Sequence, residues 1–540
     1  MTDQGKFDFD VVVIGFGPAG ATCAGLLGKL GVRTLAIDRA TAVYDKPRAF
    51  ALDHEIMRVF QNLGIVDAVL PYTAPFTPSE YYGVEGQLIK RLGAVPPPYP
   101  LGWPPNVVFT QPPVEEIMRK GAASRVGVEI ALGTELTALE QDATGVRLSL
   151  RGEDGGTRNV SARYVVACDG ASSTVRRLLD MPFEDLDFDE PWLVVDVQVN
   201  ERGLAKLPDV SIQYCEPARP TTYLIGPGNH RRWEIMLLPG EDPRIMEGEA
   251  EIWKLLSRWL KPDEAALWRV ASYRFHALVA RDWRRGRVFI SGDAAHQQPP
   301  FTGQGMCQGV RDVANLSWKL KRVLDGTAGD ALLDTYQAER GAHVRRLTTL
   351  IKGIGQLICE RDPAAAAKRD ARLLVEAGGQ IKTVARQDLI PPLQGEGCLL
   401  SPAQHAANGT IFPQPRVAQE KPGGQTALLD DITGTGIRVI TNDAAIAAGL
   451  RGNPIIAKLN ARIVLLGDRS GAASSTDGVR CVVESEGILA RWFARHACVA
   501  AIVRPDHYVF GVAADAAGLE AGLASLAAVV NAQGESHALA

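Results

Sequence analysis

A chain of 540 residues is longer than one hydrophobic core organises, so several domains are expected. With 46% hydrophobic and 22% charged residues the composition is that of a folded, water-soluble protein, which excludes disordered and fibrous classes. A formal net charge of −4 offers no basic field to nucleic acid or an anionic membrane, and points to small-molecule partners.

Residues 1–10 are acidic and lack the pattern of a secretory signal. No apolar run approaches the roughly 18 residues of a membrane span, so a cytoplasmic location is expected. The eight cysteines contain no C-x-x-C pair and the nine histidines no H-x-x-x-H spacing, which argues against a disulfide framework and a metal site.

Residues 10–14 are an apolar, β-branched run that predicts a strand, and Gly15, Gly17 and Gly20 follow it as G-x-G-x-x-G. A helix is predicted over 19–30, stopped by Gly31, and a second buried strand over 34–37, ending at Asp38. Asp38 stands eighteen residues past Gly20, near the offset of an acid that hydrogen-bonds a ribose. In such a unit Gly15 permits the tight turn, Gly17 lets backbone approach a pyrophosphate, and Gly20 lets helix pack on strand. The helix amides behind Pro18 and Ala19 face the anion. This context predicts dinucleotide binding.

Residues 48–63 have helical spacing, 71–105 predict loops with short strands, and Gln111 with two prolines opens a helix. A hairpin is predicted over 134–150 and a strand over 163–167, ending in Cys168, Asp169 and Gly170. Residues 193–199, 210–214, 221–225 and 232–238 are β-rich and predict a separate antiparallel sheet, the candidate substrate layer. A strand at 287–291, ended by Gly292 and Asp293, and a helix at 303–324 return the chain to the first domain. Helix is predicted over 332–379 and a Pro/Gly-rich linker over 391–424. Strands at 438–440, 463–466, 500–503 and 508–511 then alternate with helices at 488–495 and 518–530 as a small α/β layer.

Four patterns fall in one order: Gly15 to Gly20 with Asp38 and Arg39; Arg48 with Gln111; Cys168-Asp169-Gly170 running to Arg176; and Gly292-Asp293-Ala294-Ala295-His296 running to Asp312. Together they resemble the FAD-dependent aromatic hydroxylases, the single-component flavoprotein monooxygenases. Within that family the chain is most similar to members acting on 3-(3-hydroxyphenyl)propionate and 3-hydroxycinnamate. The resemblance implies an α/β fold with a discontinuous Rossmann-type FAD-binding domain over 1–185 and 275–390. It further implies an inserted antiparallel β-sheet substrate domain over 186–274, a linker over 391–424, and a thioredoxin-like α/β domain over 425–540. FAD is the implied cofactor, with NADH or NADPH as co-substrate, O2 as oxidant and a phenol hydroxylated beside its hydroxyl. One strong G-x-G-x-x-G means that NAD(P)H would bind transiently. A homodimer is the family expectation. Two other readings stand beside this one: the same chemistry on another phenol, resorcinol-type or polyketide aromatic, and a non-catalytic FAD-binding redox sensor.

By the same resemblance Arg48 and Gln111 contact the pyrophosphate and ribose side, Asp169 serves FAD and pyridine-nucleotide approach, and Asp293 lies near the ribityl chain. Gly303, Gln304, Gly305 and Met306 bring backbone amides to the flavin ring, where a helix N-terminus favours negative charge, and Pro300 is a further cofactor-binding residue beside them. Asp53 is the candidate for proton handling, against the alternative of a helix-start aspartate. His296 is the candidate on the flavin side, against a loop anchor. Water-excluding walls are expected from Leu193, Tyr223, Trp233, Met236, Pro300 and Phe301. An acidic substrate tail needs a cation, for which Arg219, His230 and Arg232 are candidates that no spacing privileges.

Overall fold

The computed structural model describes residues 7–93, 95–395, 397–400, 403–419, 425–467 and 478–531. Residues 1–6 of the acidic opening, and 396, 401–402 and 420–424 of the expected linker, lie outside the described residues.

Strand β1 (Phe9–Ile14), helix α1 (Pro18–Lys29) and strand β2 (Thr34–Asp38) form the expected βαβ unit. Val11, Val12 and Val13 are fully buried because both faces of this parallel sheet are covered. The helical pattern over 48–63 is divided by one side chain. Strand β3 (Ala51–Asp53) ends where Asp53 Oδ1 accepts the amides of Glu55 and Ile56 at 3.1 and 3.2 Å, which starts α2 (His54–Leu63). Helix α3 (Gln111–Ala123) precedes β4 (Val128–Leu132), and β5 (Thr157–Ala167) follows. Then come β6 (Phe183–Val199), β7 (His230–Met236), α4 (Glu249–Leu256) and β8 (Ala265–Ala280). Strand β9 (Val288–Ile290) leads to the long helices α5 (Gly305–Leu324) and α6 (Ala331–Ile358). The predicted helix over 332–379 is interrupted after α6. Asp362 caps a new helix, α7 (Pro363–Glu376), with Pro363 in its first turn.

The first sheet runs β9-β5-β1-β2-β4, all parallel, with a hairpin (Thr134–Gln141 and Val146–Gly152) continuing from β5. The second sheet has nine strands. Around the antiparallel trio β8-β6-β7 it gathers Thr221–Ile225, Ser211–Tyr214, Ser79–Tyr82, Leu88–Gly93 and Thr383–Ala385, with His296–Gln297 at its other edge. Two expected boundaries, 185/186 and 274/275, therefore fall inside strands β6 and β8. The second sheet also recruits chain from both sides of the expected substrate segment.

Alternation splits this sheet's side chains between two layers. Trp192, Val194 and Met236 face inward toward α6, together with Phe275 and Phe301. Leu193, Val195, Tyr223, Trp233 and Ile235 face outward under α4. The third sheet has seven strands, and two of them, Arg416–Gln419 and Thr426–Leu428, lie within or just after the expected linker. No helix among the described residues is long and apolar enough to cross a membrane.

Candidate active site

At the carboxyl end of β1 the backbone is shaped for a ligand. Gly15 has φ of +89°, and a Cβ there would stand 2.5 Å from the Cys168 carbonyl oxygen. A Cβ on Gly20 would stand 1.8 Å from Gly15 O, so this glycine lets α1 close on the turn. Gly17 differs, because a Cβ there would meet nothing within 4 Å. It is the N-cap of α1, and no side chain caps that helix, which leaves its first amides without a side-chain acceptor. An anionic group fits this cradle. Asp38 closes it by accepting the amides of Phe16 and Ala40 at 2.7 and 2.8 Å, while Arg39 is exposed beyond it.

The Arg48 loop crosses the same mouth. Arg48 is exposed and stacks on Tyr44 at 4.9 Å. Its backbone is fixed from two sides. Gln111 Oε1 accepts the amides of Arg48 and Ala49, and the Arg232 guanidinium donates to Arg48 O at 2.9 Å. Arg232 is otherwise held by Asp196 at 2.7 Å, and His230 donates to the same carboxylate. Burial opposes ionisation of Asp196, but Arg232 and His230 hold its carboxyl below the usual range. Arg232 and His230 are therefore occupied within the protein. Arg219 is further away in role, paired with Glu241 at 2.6 Å. Glu241 and Met236 both line a cavity of about 560 Å³ at the end of the sheet.

Across the groove, Asp169 Oδ2 accepts the amides of Thr174 and Val175 at 2.8 and 3.1 Å, and Gly170 has φ of +81° with open space beside it. Asp293 keeps solvent exposure although protein surrounds it. Burial pushes its carboxyl above the usual range, with His296 and Arg48 drawing it back. Gly292, beside it, has φ of +60° and packs against Ala19 and Gly309, which brings α1 and α5 together. Pro300 opens a short 3-10 turn that ends at Gly303, φ +65°. Helix α5 then starts behind Gln304, with no side-chain cap on the amides of Gly305, half-buried Met306 and Cys307. This is a second uncapped helix N-terminus over the same groove, suited to a group that gains negative charge.

Asp53 and His296 have structural partners. Asp53 caps α2 with Oδ1 and takes Arg311 with Oδ2. Burial opposes its ionisation, but Arg311 and His54 hold the carboxyl below its usual range. Arg311 also reaches Glu55 at 2.5 Å and Gln304 Oε1 at 2.9 Å, which ties α2 to the start of α5. His296 is buried, bonded through Nε2 to Asp312 at 2.7 Å and stacked on Trp283 at 5.4 Å. Asp312 in turn accepts Gly292 N and Arg340. The sequence offered no sign of these ion pairs, since Asp53 and Arg311 lie 258 positions apart.

The aromatic walls divide between the two faces of the sheet. Phe301 meets Trp192 edge-on at 5.6 Å and Phe275 at 5.8 Å, and Trp192 and Phe275 stack at 5.4 Å. Tyr223 and Trp233 pair with each other at 5.0 Å on the opposite face, with Leu193, so the expectation that these three wall the substrate is corrected. A residue missed by sequence lies on the inner side. Glu234 is buried, its nearest cation is Arg232 at 4.0 Å, and burial raises its carboxyl to about 7, with Arg232 lowering it and Asp196 raising it. Its period-two spacing from Arg232 and Met236 was the available signal.

Residues 8–350 match the FAD binding domain family, and residues 409–529 match the HcaD C-terminal domain. The chain belongs to the FAD-binding flavoprotein hydroxylases. The hydroxylase is 37% identical over 524 residues, 96% of this chain and 94% of the relative, to a probable NADH-specific resorcinol 4-hydroxylase of Rhodococcus jostii (strain RHA1). It is 34% identical over 524 residues, 94% of this chain and 90% of the relative, to a 3-(3-hydroxy-phenyl)propionate/3-hydroxycinnamic acid hydroxylase of Mycobacterium sp. (strain JLS). Its fold superposes on the flavin-dependent monooxygenase PieE, solved with FAD and substrate, with a TM-score of 0.78 at 21% identity, covering 97% and 99% of the two chains. Aklavinone-11 hydroxylase, solved with FAD and aklavinone, gives 0.76 at 23%, again over 97% and 99%. The hydroxylase is an α/β flavoenzyme with FAD as its cofactor.

Proposed function

We propose that this hydroxylase converts 3-(3-hydroxyphenyl)propionate, and 3-hydroxycinnamate, to the 2,3-dihydroxy product with NADH as electron donor. The observation that carries the reading is the full-length likeness to relatives so named. NADH is favoured over NADPH by the relative named NADH-specific. The balance is one phenol, one O2, one NADH and one proton giving one catechol, one NAD+ and one water.

In this reading Gly15, Gly17, Gly20 and the α1 amides hold the FAD pyrophosphate, and Asp38 the adjoining ribose. Arg48 covers the phosphates on a loop that Gln111 and Arg232 keep in place. Asp169 with Gly170 and Asp293 line the groove, and the Gly303 to Met306 amides meet the flavin ring. The chemistry FAD supplies when bound is uptake of two electrons from NADH and activation of O2. The protein's part is to orient the phenol, to keep water out with the Trp192, Phe275 and Phe301 cluster, and to favour the phenolate, the more nucleophilic ring. Glu234, protonated below about pH 7, is suited to exchange the phenol proton. A homodimer is carried over from the family, and sedimentation of the FAD-loaded protein tests it.

A second reading, hydroxylation of resorcinol, is favoured by the 37% relative. Both are tested by NADH oxidation with FAD-loaded protein, scoring catechol against H2O2. Coupled turnover of the propionate near one product per NADH is expected. Coupling with resorcinol alone would select the second reading, and NADH oxidation giving only H2O2 with both would overturn the two together.

A further inference from the structure

Buried arginines in this chain are paired. Arg58 with Asp430, Arg311 with Asp53, Arg340 with Asp312 and Arg504 with Glu339 represent the pattern. Among the described residues every buried arginine has a carboxylate at 3.6 Å or less, with one exception. The exception is Arg386, 8% exposed, with no ion pair. Its one hydrogen bond is a long one, Nη1 to Ser79 Oγ at 3.5 Å, and its Nε has no partner. The guanidinium lies over the Phe76 ring at 4.3 Å, which compensates only part of the cost of removing a charge from water. Burial lowers its pKa, while Tyr81, Cys307 and Asp53 draw it up.

Its position gives this deficit a meaning. Strand Thr383–Ala385 pairs with Leu88–Gly93 and delivers Arg386 to the inner side of the nine-stranded sheet. There Nη2 is 3.8 Å from where a Cβ on Gly303 would stand, immediately before α5. Thr302, next to Gly303, has a buried hydroxyl without a partner. An unpaired guanidinium beside the flavin-facing turn is a built receptor for an anion that arrives with the ligand.

We propose that Arg386 anchors the carboxylate of the aromatic acid substrate. The inference rests on the proposed propionate substrate and deepens it. It assigns the tail to a residue outside the predicted substrate segment and leaves Arg219, His230 and Arg232 to their internal partners. The flavin is the other anion within reach, and the test separates the two.

FAD-loaded wild type, Arg386→Gln and Arg386→Lys are titrated with 3-(3-hydroxyphenyl)propionate and with 3-propylphenol, in which a methyl group replaces the carboxylate. Flavin absorbance reports Kd, and FAD retention and Tm report integrity. We expect Arg386→Gln to weaken the acid by about 10- to 100-fold, the worth of a charged hydrogen bond. The neutral phenol should change less than about threefold, and Arg386→Lys should recover part of the loss. If Arg386→Gln loses FAD, the same comparison is read from Arg386→Lys. Equal weakening of both phenols, an unchanged acid Kd, or loss of FAD from both variants would overturn the anchor. Turnover is read separately. Acid that binds through Arg386 without being hydroxylated overturns the substrate reading alone, and acid hydroxylated with an unchanged Kd in Arg386→Gln overturns the anchor alone. Acid that does not bind wild type overturns both.

Discussion

Asp53 has each carboxylate oxygen committed, one to the amides that start α2 and one to Arg311. Asparagine caps helices as well as aspartate does, so Asp53→Asn keeps the cap and loses the charge pairing. Glu55 still compensates Arg311, which limits the cost to about 1–3 kcal/mol by chemical denaturation. With FAD bound, kcat should stay within about tenfold of wild type, whereas loss of a working acid or base costs about 100-fold or more. Glu234 titrates in the opposite sense. Its folded pKa of about 7 lies above the unfolded value, so between about pH 4.5 and 7 the folded state holds a proton that the unfolded state has released. That contribution is fully present below about pH 4.5 and declines as pH rises through 7. Denaturation midpoints should show this decline in wild type and lack it in Glu234→Gln, and the activity of Glu234→Gln should lose a limb of its pH profile near 7.

At the scale of elements, the glycines of the first turn do separable things. Gly17 has φ of −71°, so alanine is conformationally allowed, and its Cβ touches no protein atom. Gly17→Ala should fold with apo stability unchanged or raised by up to about 1 kcal/mol, yet bind FAD at least about tenfold more weakly by fluorescence titration. Gly20→Ala places a Cβ against Gly15 O, and the apoprotein itself should lose about 1–3 kcal/mol. This βαβ unit was legible because strand, turn, helix and terminal acid are local and contiguous in sequence. The nine-stranded sheet was only half legible. Strand β8 reads as mixed polar and apolar because parts of both its faces are solvated, and its partners in β6 lie 66 to 97 residues upstream, beyond local periodicity. The face assigned to Tyr223 and Trp233 could not be fixed from one strand, since the outer face is covered by α4 and is as apolar as the inner. Arg386 escaped notice because its neighbours Phe76, Ser79 and Gly303 meet it only in the folded chain.

Over the whole molecule, the seven-stranded sheet is fastened to the FAD-binding region by buried charges. Arg504 meets Glu339 of α6 at 2.8 Å, Lys319 of α5 reaches the same carboxylate at 3.0 Å, and Arg58 of α2 meets Asp430 at 2.6 Å. Glu339→Gln would leave Lys319 buried without a carboxylate, while Arg504 keeps Asp506, and should cost about 3–5 kcal/mol, seen as a lowered denaturation midpoint. Burial opposes ionisation of Glu339, but Arg504 and Lys319 hold its carboxyl well below the usual range. The stability it provides is therefore present above about pH 4.5 and lost progressively as pH falls. Acid should release the C-terminal sheet and the FAD-binding region in one transition, with flavin fluorescence and circular dichroism changing together.

Tyr508, on that C-terminal sheet's side, donates to Glu55 at 2.8 Å, and Glu55 shares Arg311 with Gln304 at the start of α5. Inheritance is constrained by this chain of three contacts. A C-terminal segment exchanged between lineages has to bring a hydroxyl donor to the Tyr508 position, so recombination across residue 409 should succeed between parents that share this donor and fail between parents that do not.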